Sequence, residues 1–300
     1  MTSSSLTSST SRPWLSYFAL GFGVVALGFS ALFVRWANAP GPVMGFYRIG
    51  LSTLILIPFF MLRRRTGVKI TWAILIFPIL GGVLTALDQG FWSTSVNFTS
   101  AANATLLGNT APLWVALFAW VVWNEHLKIA FWLGLLLTLA GAAIVLGSDI
   151  LRNPSLGIGD LLAIIAGVFY AGYFLVTQRG RVNWDTLSYI WIVGLVSTIC
   201  LLLISLGFGM PITGYPLQSY LAFLGAALLS QTGGYLAVGY ALGHLPASLV
   251  APTMLGQPVV TALLAIFLLG ESLEIGQILG GLAVLAGIFL VHTSRENPHI

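Results

Sequence analysis

Long apolar runs separated by short polar breaks make up the chain from residue 14 to residue 293. Most of the runs are about 20 residues long, which is the length an α-helix needs to cross a ~30 Å hydrocarbon core. The pattern therefore predicts ten membrane-spanning helices, numbered here as spans 1 to 10. They cover residues 14–34, 42–62, 72–95, 101–123, 129–147, 157–178, 186–208, 217–242, 247–269 and 275–293.

Composition supports a membrane protein and excludes a soluble one. The chain is 58% hydrophobic and 7% charged, whereas a soluble domain has about 25% charged residues. We expect an all-α, multi-pass protein of a bacterial inner (cell) membrane, in contact with lipid. The net charge of +4 does not indicate a nucleic-acid partner, because the basic residues lie where membrane topology puts them. The single cysteine, Cys200, excludes an internal disulfide and a thiolate metal site.

The second half of the chain repeats the first. Residues 111–147 align with residues 257–293 without a gap, at a constant offset of 146. The aligned pairs include Pro112 with Pro258, Glu125 with Glu271, Gly134 with Gly280, and Gly141 with Gly287. Identical proline and glutamate positions are not expected from general hydrophobicity, so the repeat indicates an internal duplication, which is typical of secondary transporters.

We therefore divide the chain into two five-helix repeats. The first covers residues 14–147 and the second residues 157–293, with a linker at 148–156. The terminal segments 1–13 and 294–300 are predicted to be disordered tails, because they have no apolar core to join.

Lys and Arg residues are concentrated on one side of the predicted topology. If the N-terminus is cytoplasmic, the cytoplasmic segments hold Arg12, Arg63, Arg64, Arg65, Lys69, Lys128, Arg179, Arg181 and Arg295. The outer segments hold only Arg35 and Arg152. This bias predicts that both termini are cytoplasmic. Because five is an odd number of helices, the second repeat then enters the membrane from the opposite face, and the repeats are inverted.

Two charged residues, Arg48 and Asp88, fall well inside the predicted spans. A charge at mid-bilayer costs about 2.5 to 3.5 kcal/mol, so each should face the bundle interior and have a partner. The simplest expectation is an ion pair between them. In the repeat they align with Ile192 and Gln231, so they break its symmetry, as a site for an asymmetric ligand requires. The alternative is a structural pair that holds the bundle together.

Polar and aromatic side chains lie in the same spans and could bind an amino acid. Amides and phenols offer hydrogen bonds, and aromatic rings stack on aromatic side chains or attract an ammonium. The set is Tyr47, Gln89, Trp92, Asn103, Asn109, Tyr170, Tyr173, Gln231, Tyr235 and Gln257. The substrate-binding residues predicted from it, together with Arg48 and Asp88, are Tyr47, Trp92, Asn109, Tyr170, Tyr235 and Gln257. Alternatively, such residues anchor helices at the membrane interface or bond neighbouring helices.

Pro112 and Pro258 occupy equivalent positions in spans 4 and 9, and each lacks a backbone donor in the middle of a predicted helix. Proline bends helices at such positions. We predict that both are hinges, with a fixed kink beside a cavity as the alternative.

The two repeat segments resemble a known family. The stretches TSAANATLLGNTAPLWVALFAWVVWNEHL and LPASLVAPTMLGQPVVTALLAIFLLGESLEIGQILGGLAVLAGIFLV are similar to the two repeat units of the EamA family, in the drug/metabolite transporter superfamily. The second copy has the family's small entry residue Ala247, Pro258, the pair Gly270 and Glu271, and the closing segment 280–287. The first copy departs from the pattern with Asn124 before Glu125. The resemblance covers about residues 15 to 293.

The resemblance implies ten helices in inverted repeats, a central substrate cavity and efflux of small metabolites. Within the family, the overall length and the FYRIG sequence of span 2 are most similar to YddG-type exporters of aromatic amino acids.

No enzyme motif is present in the sequence. HExxH, GxSxG and P-loop patterns are absent, and the four histidines lack metal-ligand spacing. We expect no enzyme activity, no cofactor and no metal. The predicted function is a secondary transporter, sufficient as a monomer, that exports aromatic and other apolar amino acids by alternating access, driven by protons or by facilitated diffusion. The alternatives are drug or other metabolite efflux and, more remotely, a polytopic sensor or channel.

Overall fold

A computed structural model describes residues 13–62, 71–95, 98–99, 101–147, 157–269 and 275–294. Within these ranges it contains helices and no strands. Ten helical stretches are long and apolar enough to cross a membrane. They are Trp14–Ala37, Gly41–Leu62, Trp72–Ser95, Ala104–Val121, Ile129–Leu146, Ile158–Gly180, Thr186–Gly207, Leu217–Leu242, Ala247–Leu268 and Ile275–Ser294. The prediction of an all-α protein with ten spans is confirmed.

Six spans are single helices. These are α3 (Gly41–Leu62), α4 (Trp72–Ser95), α7 (Ile129–Leu146), α8 (Ile158–Gly180), α9 (Thr186–Gly207) and α14 (Ile275–Ser294). The other four spans are interrupted. Span 1 consists of α1 (Pro13–Gly28) and α2 (Ser30–Ala37), and span 4 of α5 (Ala101–Gly108) and α6 (Ala111–Val121). Span 8 consists of α10 (Leu217–Gly225), a π-helix (Ala226–Gly234) and α11 (Tyr235–Leu242), and span 9 of α12 (Ala247–Met254) and α13 (Gln257–Leu269).

The two predicted hinge prolines lie at the interruptions of spans 4 and 9. Pro112 is the second residue of α6, and Pro258 is the second residue of α13. The sequence had placed both prolines in mid-helix, whereas the structure places each in the first turn of a new helix. The reason is that first-turn backbone N–H groups have no partner within the helix, so proline loses nothing there.

Spans 5 and 10 pack closely through glycines. A Cβ atom added at Gly134 would lie 2.9 Å from the backbone oxygen of Gly287, and one added at Gly141 would lie 2.6 Å from that of Gly280. In the repeat, Gly134 corresponds to Gly280 and Gly141 to Gly287, so the two contacts are equivalent to each other. Such paired contacts are expected when two antiparallel helices are related by a pseudo-twofold axis. The inverted repeat stays a prediction, and this packing supports it.

We call the ends where span 1 begins the near face, and the ends where span 1 finishes the far face. The largest cluster of buried apolar residues lies mostly in the near-face half of the bundle. It includes Leu20 of span 1, Phe174 of span 6, Ile190 of span 7, Leu242 of span 8 and Leu249 of span 9. This cluster fills the bundle on the near-face side of the cavity described below.

Several sequence predictions concern residues outside the described ranges. These are the linker 148–156, residues 1–12 and 295–300 of the predicted tails, Gly270, Glu271, and the basic residues Arg12, Arg63, Arg64, Arg65, Lys69, Arg152 and Arg295. Pro13 and Ser294, assigned to the tails, are instead terminal residues of α1 and α14.

Candidate functional site

A cavity of about 530 Å³ lies inside the bundle and is lined by residues from every span except span 7. Small-molecule sites usually have volumes of about 300 to 1,000 Å³. The lining begins at Tyr170, Tyr235 and Gln257, in the inner part of their spans, and extends to Arg35 and Gln277 at the far-face ends. The cavity therefore runs from the interior of the bundle toward the far face.

Arg48 of α3 forms part of the cavity wall and is 6% exposed. Its Nη1 atom donates a hydrogen bond to Ser30 Oγ at 3.0 Å, and Ser30 is the first residue of α2. Its Nε and Nη2 atoms are buried without a hydrogen-bond partner. Ser30, at the interruption of span 1, thus gives Arg48 one neutral acceptor. The other two guanidinium nitrogens have no hydrogen-bond partner in the protein.

Asp88 of α4 lies in the same wall and is 8% exposed. Its Oδ2 atom accepts a hydrogen bond from Gln89 Nε2 at 3.2 Å. The ion pair predicted between Arg48 and Asp88 is not formed in this structure, because the hydrogen bond from Arg48 goes to span 1 and no bond from it reaches Asp88. One basic and one acidic side chain therefore line a single cavity without a bond between them.

Aromatic rings form the inner part of the cavity wall. Trp92 lies against Gly108, where an added Cβ atom would be 3.1 Å from Trp92 Cδ1. The ring centroids of Tyr170 and Tyr173 are 6.3 Å apart, and those of Tyr173 and Tyr235 are 5.9 Å apart. Trp92, Tyr170 and Tyr235 line the cavity itself, while Tyr173 lies behind them. The wall can therefore contact a flat apolar group on several sides.

Seven of the eight predicted substrate-binding residues line the cavity. They are Arg48, Asp88, Trp92, Asn109, Tyr170, Tyr235 and Gln257, and Gln89 and Pro258 also contribute. Pro112 is not in the lining. The structure brings these residues together, while their role in binding stays a prediction.

Tyr47 is the predicted site residue that the structure places elsewhere. Its hydroxyl donates to the backbone oxygen of Ile212 at 2.9 Å, and its ring stacks on Phe223 with centroids 4.5 Å apart. Tyr47 directly precedes Arg48 in α3, and successive residues are about 100° apart around a helix, so the two side chains leave it in different directions. Of the wider set, Tyr173 and Gln231 are buried outside the lining, and the side chain of Asn103 lies outside the described part of the structure.

Several lining residues were not predicted from the sequence. They are polar side chains at the cavity surface: Ser30, Arg35, Thr105, Thr261 and Gln277. Thr261 Oγ1 donates to the backbone oxygen of Gly28 at 2.7 Å, next to the break in span 1. Single Ser and Thr residues are common in membrane helices, so their types alone gave no signal. Ser30 and Thr261 lie beside the break in span 1, and nothing in the sequence marked that break.

On the near face, hydrogen bonds connect the segments that cover the cavity. Glu125 Oε2 accepts from Ser248 Oγ at 2.8 Å, and Gln178 Oε1 accepts from the backbone N–H of Ala247 at 2.8 Å. Both contacts tie the start of α12 to other spans. The guanidinium of Arg179 also lies 4.6 Å from the centre of the Trp123 ring, which is a cation–π distance. Together with the apolar cluster, these contacts close the near face.

Metal binding finds no support in the part of the chain that the structure describes. No group of three or more His, Cys, Asp or Glu side chains comes together there.

Comparison with known proteins gives one family. The model of the family described as EamA-like transporter family matches residues 7–147 and 157–293. An uncharacterized transporter of Archaeoglobus fulgidus is 28% identical over 262 residues, covering 85% of this chain and 88% of that protein. A WAT1-related protein of Arabidopsis thaliana is 26% identical over 326 residues, covering 96% and 87%. A protein crystal structure has the same fold, with a TM-score of 0.76 at 16% identity over 93% of this chain and 97% of that one.

Proposed function

Because the chain belongs to the EamA-like transporter family, we propose that its cavity carries amino acids, chiefly aromatic and other apolar ones, out of the cytoplasm. The coarser conclusion follows from the family and the ten spans: the chain is an integral multi-pass membrane transporter of the drug/metabolite type. The proposal concerns its substrate and the direction of transport.

The observation that carries the proposal is the separated pair of charges in the cavity wall. Arg48 and Asp88 line one cavity without bonding to each other. A free amino acid is a zwitterion, so its carboxylate and ammonium can be matched to both charges at once. A lipophilic cation would meet Asp88 but would leave the buried charge of Arg48 uncompensated, which is costly inside a protein. The charge arrangement therefore favours amino acids over cationic drugs.

The aromatic wall supports an apolar side chain on the substrate. Trp92, Tyr170 and Tyr235 lie along the same cavity as the two charges. Aromatic pairs add about 0.5 to 1.5 kcal/mol beyond their buried area, so phenylalanine and tryptophan should bind better than small amino acids. The similarity of span 2 to the YddG-type exporters agrees with this preference.

The proposed orientation assigns the side of the membrane on which the cavity opens. The Lys and Arg bias puts the near face in the cytoplasm, so the cavity described here faces the outside. Export then requires a second state in which the near face opens and the far face closes. Two inverted repeats supply such a pair of states, since each repeat can take the conformation of the other.

Transport by the purified protein in liposomes tests the proposal. Liposomes loaded with unlabelled tryptophan, phenylalanine or leucine should accumulate the labelled amino acid by saturable counterflow, and protein-free liposomes should not. Tetraphenylphosphonium, a lipophilic cation, should give no counterflow. Absence of counterflow for every amino acid would reject the substrate, and counterflow of the cation alone would favour the drug-efflux alternative. Repeating the assay with and without a pH gradient separates proton coupling from facilitated diffusion.

A further inference from the structure

One edge of the Arg48 guanidinium has no hydrogen-bond partner within the protein. Nη1 is bonded to Ser30 Oγ, while Nε and Nη2 have no acceptor, and the residue is 6% exposed. Buried donors without partners are uncommon in proteins, and they are most costly when they carry charge. An acceptor that reached this edge would therefore be bound with more than ordinary strength.

The two unbonded nitrogens have the geometry of a carboxylate site. Nε and Nη2 lie side by side along one edge of the planar group, so their N–H bonds point in parallel directions. Such an edge donates two parallel hydrogen bonds to the two oxygens of one carboxylate. A hydroxyl or an amide oxygen offers one oxygen only, so it satisfies half of the edge.

We infer that this edge of Arg48 binds the α-carboxylate of the transported amino acid, an inference that rests on the function proposed above. Asp88, in the same wall, then lies on the side of the substrate's ammonium group. Because Arg48 binds the carboxylate and Asp88 faces the ammonium, the substrate is held in one orientation, with its side chain directed at the aromatic wall.

Arg48 must turn to bind the carboxylate. Nε and Nη2 are covered in this conformation, so the guanidinium has to rotate into the cavity that its side chain already lines. The rotation gives up one hydrogen bond to the neutral Ser30 hydroxyl. It gains two charge-assisted bonds, each about twice as strong as a neutral one. The exchange favours the turned state when a carboxylate is present.

Asp88 restricts the type of anion. A phosphate carries no ammonium group to offset the carboxylate of Asp88. The two negative charges in one cavity would repel each other strongly, because like charges at short range do so in a protein interior. A carboxylate beside an ammonium leaves the occupied cavity with balanced charges. The ligand class is therefore the α-amino acid with both groups free.

Four indole compounds test the inference in reconstituted protein. Tryptophan has both groups, tryptophanamide and tryptamine lack the carboxylate, and indole-3-propionate lacks the ammonium. Each is tested as a competitor of labelled tryptophan counterflow. Tryptophan should compete better than tryptophanamide by at least about tenfold, which corresponds to a hydrogen bond to a charged group.

Variants of Arg48 and a matched control separate binding from folding. Arg48→Gln should bring the ratio between tryptophan and tryptophanamide close to one, mainly by weakening tryptophan. Arg48→Lys keeps the charge without the paired donors, so its ratio should lie between those of the unmodified protein and of Arg48→Gln. If Arg48→Gln does not fold, Arg48→Lys serves as the test variant. Lys128→Gln removes an exposed positive charge beside α7 and should leave the ratio unchanged.

Equal competition by tryptophan and tryptophanamide in the unmodified protein would overturn the inference. So would an Arg48→Gln variant that weakens both compounds by the same factor, because that result describes a structural residue. Thermal-shift measurements with the same compounds keep the two proposals apart. Stabilisation by tryptophan over tryptophanamide that depends on Arg48, without any counterflow, would reject the transport proposal and retain the carboxylate site.

Discussion

Among single residues, the charged ones in the cavity wall carry the most information. Asp88 is 8% exposed and is hydrogen bonded to Gln89, a neutral partner that does not cancel its charge. A buried carboxylate without a cation bonded to it is costly to keep. A substrate ammonium would offset that cost, which gives a direct test of the role of Asp88.

Replacing Asp88 by Asn keeps the shape of the side chain and removes its charge. We expect the affinity for tryptophan to fall by at least about tenfold, or about 1.4 kcal/mol, because the ammonium loses its counter-charge. The measurement is the concentration dependence of counterflow. Asp185→Asn is the matched control, since Asp185 caps α9 through Ser188 N at 3.0 Å and Asn caps helices equally well. Unchanged transport and pH dependence in Asp88→Asn would place Asp88 outside the transport path.

Gly141 tests the contact between spans 5 and 10. In Gly141→Ala the added Cβ atom would lie 2.6 Å from the backbone oxygen of Gly280, so the helices must separate. We expect a loss of stability of about 1 to 3 kcal/mol, as for other overpacked interiors, measured as a lower unfolding temperature of the detergent-purified protein. Gly21→Ala adds the same group where no atom lies within 4 Å and should not lower the unfolding temperature. Equal unfolding temperatures for the two variants would contradict the close packing.

The sequence predicted which residues lie deep in the membrane but not always which way they point. In a soluble helix the polar face marks the exposed side, whereas a span that is apolar all round has no such marker. Tyr47 and Arg48 are neighbours in one span, and only Arg48 lines the cavity. Tyr235 was placed correctly by the same reasoning that misplaced Tyr47. The rotation of a span about its axis is set by its neighbours, and one sequence does not show them.

At the scale of helices, span bounds were predictable and interruptions were only partly so. Bounds follow from the length of the apolar runs, and two of the four interruptions were marked by Pro112 and Pro258. The π-helix of span 8 had no such mark. There Ser230 Oγ donates to the backbone oxygen of Ala26, and Thr232 Oγ1 bonds the oxygen of Ala227 and the hydroxyl of Ser52. Two of these three bonds reach other spans, so this helix depends on packing that local sequence does not reveal.

The break in span 9 can be tested at Pro258. In Pro258→Ala the new N–H can donate to the oxygen of Met254, the last residue of α12, and join α12 to α13. That bond favours the straight form by about 1 kcal/mol, or roughly fivefold in population. Transport should slow by a similar factor with little change in unfolding temperature.

Pro252→Ala is the control for this change, because Pro252 lies inside α12 and its replacement leaves the break alone. If Pro258→Ala transports at the rate of the Pro252→Ala variant, the break is a fixed kink and not a hinge.

For the whole molecule, the cavity and the charges together predict which side is open. Lys128, Arg179 and Arg181 lie near the closed face, and Arg35 lies at the open end of the cavity. The positive-inside rule then predicts that the closed face is cytoplasmic. The protein in this state should expose its cavity to the outside of the cell.

Cysteine labelling in intact cells measures this directly. In a Cys200→Ser background, Thr105→Cys introduces a thiol into the cavity wall and His126→Cys introduces one into the exposed near-face loop. A membrane-impermeant maleimide should label the cavity thiol in intact cells and the loop thiol only after permeabilisation. Excess tryptophan should protect the cavity thiol and leave the loop thiol unchanged, because only the first lies beside the proposed substrate. Labelling of the loop thiol in intact cells would reject the cytoplasmic position of the near face.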